Sequence, residues 1–93
     1  MNDGIREKIL VVDDAEINRA ILDELFCREY DILEAENGLE AIKQIEAVNG
    51  ELAALLLDIV MPEMDGFGVL KYLSEKQLIQ QIPVFLITAE TSS

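Results

Sequence analysis

The sequence predicts an α/β fold, an open parallel sheet with helices on both faces, and three observations predict it. Ile9-Leu10-Val11-Val12, Leu52-Ala53-Ala54-Leu55-Leu56-Leu57 and Val84-Phe85-Leu86-Ile87 are short apolar runs that do not alternate with polar residues, as suits strands buried on both faces. The stretches between them carry apolar residues at helical spacing. The two patterns alternate along the whole chain, which implies right-handed βαβ crossovers.

The first strand, Ile9 to Val12, leads into a helix marked by Ile17, Ile21 and Leu25 at i, i+4 and i+8, with Leu22 and Phe26 widening the stripe. Tyr30-Asp31-Ile32-Leu33-Glu34-Ala35 alternates only partly and reads as a strand at a sheet edge. A second helix follows from Ala41, Ile45 and Val48 and stops at Asn49-Gly50. After the strand at 52–57, Phe67, Leu70 and Leu73 mark a third helix, with Asp65 as its N-cap and Gly66 easing its first turn. Pro83 opens the last strand, where its missing N–H is tolerated.

Composition narrows the function. The 93 residues fit one domain, 1–93, and half of them are apolar, so the chain is globular. Nineteen acidic against seven basic side chains give a formal charge of −12, which disfavours nucleic acid and anionic membrane surfaces and suits cations or basic partners. With no histidine and one cysteine, a Ser-His-Asp triad, a Cys-His pair and a structural zinc site are excluded. One cysteine also forbids an internal disulfide and points to a reducing compartment. No apolar run approaches a membrane span, and residues 1–8 lack a signal-peptide plan, so the expected location is cytoplasmic. Cys27, at the end of the first helix, reads as a packed thiol, and Asn18 and Arg19 as solvent-facing.

The strand ends hold the chemistry. The first ends in Asp13-Asp14, the third in Asp58 and the last in Thr88. In a parallel sheet all carboxyl ends share one edge, and ligands bind there where the strand order reverses. A lone Asp before a helix serves as an N-cap, but Asp58 has no helix directly after it. Two carboxylates about 4 Å apart repel by roughly 4 kcal/mol at an effective dielectric near 20. A hard divalent cation, Mg²⁺ or Mn²⁺, relieves that repulsion in an all-oxygen site. A cation beside a carboxylate nucleophile suits phosphoryl transfer through an acyl phosphate.

Val11-Val12-Asp13-Asp14, Asp58-Ile59-Val60-Met61-Pro62-Glu63-Met64-Asp65-Gly66 and Ile87-Thr88-Ala89 together resemble the receiver domain of two-component response regulators, and the resemblance runs through essentially all 93 residues. It implies a flavodoxin-like sheet in the order 2-1-3-4-5. It implies that Asp58 accepts a phosphoryl group from a histidine kinase or histidine phosphotransfer domain, in a Mg²⁺-dependent reaction that changes a docking surface. Asp14 and Asp58 would then hold Mg²⁺, Asp13 would do so largely through water, and the Val60 carbonyl would complete the protein ligands. Thr88 and the Ala89 N–H would hold the phosphoryl oxygens, while Val60 and Glu90 would tune the lifetime of the acyl phosphate. Such a domain is no enzyme in the usual sense, although it assists its own phosphorylation and dephosphorylation.

Against the family pattern, the chain lacks the expected fifth strand and last two helices, and with them a lysine that pairs with the phosphorylated aspartate. The expectation is therefore a receiver domain incomplete at its C-terminus, with residues 83–88 as an exposed, uncharged edge open to self-association. The alternative reading is a shortened, non-switching receiver-like scaffold that binds partners without phosphorylation. A metal-dependent phosphohydrolase is disfavoured, because Asp13-Asp14 lacks the D-x-D spacing of aspartate-nucleophile phosphatases.

Overall fold

A computed structural model describes residues 6–58 and 66–87. Seven elements alternate along them: β1 (Lys8–Val12), α1 (Glu16–Phe26), β2 (Asp31–Ala35), α2 (Gly38–Ala47), β3 (Ala54–Asp58), α3 (Gly66–Glu75) and β4 (Val84–Ile87). The strands form one sheet in the order β2-β1-β3-β4, and every pairing is parallel. The predicted alternation, the reversal of strand order at β1/β3 and the edge position of β2 are all present. The second predicted strand gives up Tyr30 at its start, and the third shifts to Ala54–Asp58. Asp65, read as the cap of the third helix, and Thr88 lie outside the described residues, as do Val60, Met61, Pro62, Ala89 and Glu90.

Strand periodicity divides the core in two. Leu10, Val12, Leu55 and Leu57 point to one face and pack with Ala41 and Ile45 of α2 and Val69 and Leu73 of α3. Ile9, Val11 and Leu56 point to the other, against Leu22 and Phe26 of α1. Both faces of β1 and β3 are covered, which is why their sequences read as unbroken apolar runs. Among the described residues no helix is long and apolar enough to cross a membrane.

The helix ends follow local chemistry. Asn37 caps α2, its side chain accepting the Glu40 N–H at 2.8 Å. The helix ends at Val48, and Asn49 (φ 56°) and Gly50 (φ 73°) take left-handed conformations that turn the chain toward β3. At the same end of α2, the Tyr72 hydroxyl donates to Glu46 at 3.0 Å and ties α3 to α2. Desolvation, then the hydrogen bond to Glu46 and its charge, raise the Tyr72 phenol above its ordinary value.

Two expectations about helix faces need correction. Ile17, Ile21 and Leu25 are each more than half exposed. The stripe one residue later, Asn18, Leu22 and Phe26, is the one turned toward the sheet, about 100° around the helix. Phe67 is exposed for the same reason, since Gly66, Val69 and Leu73 form the buried face of α3. Cys27 is exposed at the C-cap of α1, not packed. On β4, Phe85 (55%) and Leu86 (50%) are exposed on opposite faces of the outer strand, as an uncharged edge implies.

Leu57 is fully buried between β1, α2 and α3. Leu57→Ala is expected to lower unfolding free energy by about 2–5 kcal/mol, read as a shift of the urea midpoint with an unchanged slope.

Candidate functional site

β1 and β3 are adjacent and in register, Val12 beside Leu57, so the residues that follow them reach the same sheet edge. Asp58 is the last residue of β3. Asp13 follows β1 directly and prolongs its ladder, its N–H donating to the Ala35 carbonyl at 3.1 Å. One carboxylate oxygen from each of Asp13, Asp14 and Asp58 lies within 4.8 Å of the others. Asp13 and Asp58, each 3% exposed, form the floor, and Asp14 is exposed at the mouth. The structure thus brings together three of the residues singled out from sequence. Val60, Thr88, Ala89 and Glu90 lie outside the described residues.

Asp13 is held by several hydrogen bonds. Its Oδ1 accepts the Ala15 N–H at 2.8 Å, which satisfies a donor at the start of α1 where the N-cap residue, Ala15, has no capping side chain. The Asn18 Nδ2 reaches Oδ2 at 3.2 Å and Oδ1 at 3.4 Å. Arg19 donates from Nη1 to the Asp13 backbone carbonyl at 2.7 Å and from Nε to Glu34 Oε1 at 3.0 Å. The guanidinium therefore clamps the end of β1 to β2.

Asn18, Arg19 and Glu34 were not legible as site residues, because a polar pair in a helix reads as a solvated surface. A geometric signal exists: side chains in a helix lean toward its N-terminus, so residues one turn in overhang the strand end that precedes the helix.

The donor set suits a hard divalent cation. It consists only of carboxylate oxygens, two of its members are shielded from solvent, and one oxygen of each comes near enough to the others that the three could hold one ion. Asp58 ends β3, the strand between β1 and β4, and lies buried at the floor of the crevice.

The response regulator receiver domain family matches residues 9–93. The chemotaxis protein CheY1 of Helicobacter pylori is 38% identical over 85 residues, a match that covers 89% of this chain and 68% of that protein. Among solved structures, the CheX-CheY-BeF₃-Mg²⁺ complex from Borrelia burgdorferi superimposes with a TM-score of 0.81 at 28% identity, covering 97% of this chain and 67% of the other. The response regulator TrrA of Thermotoga maritima, in complex with Mg²⁺-BeF, gives 0.76 at 36% identity, covering 91% and 71%.

Removing the Arg19 clamp leaves Glu34 and the Asp13 carbonyl without their donor. Arg19→Met is expected to cost about 1.5–3 kcal/mol of stability, the range for hydrogen bonds to a charged group, measured by chemical denaturation. Loss below about 0.5 kcal/mol would mean the clamp is a solvated surface contact.

Proposed function

The chain belongs to the family of response regulator receiver domains, and from that membership we propose that it is a phosphoacceptor signalling module. Asp58 is the acceptor, and the donor is a phosphohistidine on a partner histidine kinase or histidine phosphotransfer domain. The observation that carries this reading is the convergence of the Asp13, Asp14 and Asp58 oxygens within 4.8 Å at the carboxyl edge of the sheet.

Asp14 and Asp58 would hold Mg²⁺, with Mn²⁺ as a substitute; Asp13 would act through bound water, and the Val60 carbonyl would complete the protein ligands. When bound, the cation neutralises negative charge on the acceptor and on the transferring oxygens. The chain's own part is positional. β3 fixes Asp58 at the floor, and the buried Asp13 holds its place through Ala15 and Asn18. An Asp58 carboxylate oxygen forms the new O–P bond while the P–N bond to the donor imidazole breaks, and the imidazole nitrogen keeps the electron pair. Thr88 and the Ala89 N–H receive the phosphoryl oxygens, and Glu90 and Val60 govern access of the water that later hydrolyses the acyl phosphate. The module in this way assists both its phosphorylation and its dephosphorylation.

The donor docks over α1. Ile17, Ile21 and Leu25 form an exposed apolar stripe on the helix that starts two residues after Asp14, so a partner seated there meets the mouth of the crevice. Cytoplasmic action belongs to the same reading, since Cys27 is free and exposed, which suits a reducing compartment.

Incubation with acetyl phosphate and Mg²⁺ is expected to add one phosphoryl group by intact mass, and Asp58→Asn to abolish it. Chelation of the cation should slow uptake roughly tenfold or more. Uptake that persists in Asp58→Asn would sink the assignment of the acceptor. Ile21→Glu is expected to slow transfer from a phosphohistidine partner by about tenfold, an anchor-sized loss, with acetyl phosphate uptake unchanged. Equal losses from both donors would place the defect in the crevice instead of the docking face.

A further inference from the structure

We infer that Asn18 is a positioning residue that lowers the affinity of the carboxylate cluster for a divalent cation. The inference rests on the cation reading given above and adds to it a residue of α1 that supplies no ligand atom of its own. An ionised carboxylate only accepts hydrogen bonds, so the Asn18 carboxamide faces Asp13 with its nitrogen, 3.2 Å from Oδ2 and 3.4 Å from Oδ1. The Ala15 N–H takes a further share of Oδ1 at 2.8 Å. These donors draw charge density from Asp13, and they compete for the same lone pairs that a cation or its bound water needs.

The Ala15 donor is the backbone N–H of the N-cap residue of α1, which no side-chain substitution removes. The Asn18 amide is the adjustable one. It stands one turn into α1, at the head of the stripe whose other members, Leu22 and Phe26, pack against the sheet. Their packing holds the amide over Asp13. A cation drawing on Asp13 must therefore share or displace an amide held in place by the core. Asn18 supports the position of Asp13 while limiting how tightly the cluster grips its ion.

The test is cation binding by this chain, with Mg²⁺ followed by isothermal titration calorimetry and Mn²⁺ by the loss of its free-ion electron paramagnetic resonance signal. Asn18→Ala and the similarly sized Asn18→Leu both remove the donor; the second does so without opening a void. Both are expected to bind cation roughly three- to tenfold more tightly, as loss of one competing hydrogen bond of ordinary net strength implies. Both should melt at a lower temperature without added cation, and saturating Mg²⁺ should recover more of that loss than it adds to the wild type. Unchanged or weaker binding in both variants overturns the inference, because a merely structural amide would lower the melting temperature without moving cation affinity. Absence of cation binding by the wild-type chain would instead overturn the cation reading itself, and this inference with it.

Discussion

Three carboxylates held close together repel one another, and the structure depends on elements stiff enough to keep them there. Stiffness comes from the two central strands. β1 and β3 are paired along their length, with Leu10, Val11, Leu55 and Leu57 fully buried, so their carboxyl ends cannot splay without exposing the core. Each like-charge contact at an effective dielectric near 20 amounts to roughly 4 kcal/mol at 4 Å. Burying one large aliphatic side chain returns about 1.5–3 kcal/mol. A handful of core residues on two strands therefore suffices to hold the cluster together, which explains why the most uniformly apolar segments of the chain terminate at its most acidic point.

Helix α1 serves that constraint and an opposite one. Its inward stripe begins with a polar residue, Asn18, over the acidic crevice and continues as Leu22 and Phe26 over the sheet. Its outward stripe, offset by a single position, is apolar throughout and faces solvent. Hydrophobicity on this helix is thus distributed between folding and surface recognition, and the register of the helix decides which residues serve which purpose.

That division marks the boundary of what the sequence makes legible. Strand identity, parallel pairing and the meeting of Asp13, Asp14 and Asp58 follow from apolar runs and from what terminates them, because a strand buried on both faces admits few other readings. The inward face of α1 is not legible from periodicity. Ile17, Ile21 and Leu25 offer three apolar residues at helical spacing where Asn18, Leu22 and Phe26 offer two, and the polar member of the buried stripe is explained only once Asp13 lies beneath it. Asn37 could have been read from the sequence, since Asn followed three residues later by Glu is a helix-start signature. The exposure of Cys27 could not, because a cysteine at the end of an apolar helix has no local signal that distinguishes packed from free.

The register of the parallel strands has a consequence for how this site can change over generations. Side chains alternate faces along a strand, so inserting or deleting one residue within Lys8–Val12 or Ala54–Asp58 would exchange the two cores and turn the terminal aspartate away from the crevice. The turn at residues 48–51, on the opposite edge of the sheet, carries no such phase, and Leu52 just after it is already part of the core. A change of length in that turn leaves the facing of the strand residues less disturbed than one inside a strand. Beside the carboxyl edge, exchanging a side chain preserves this phase and changing a strand's length destroys it.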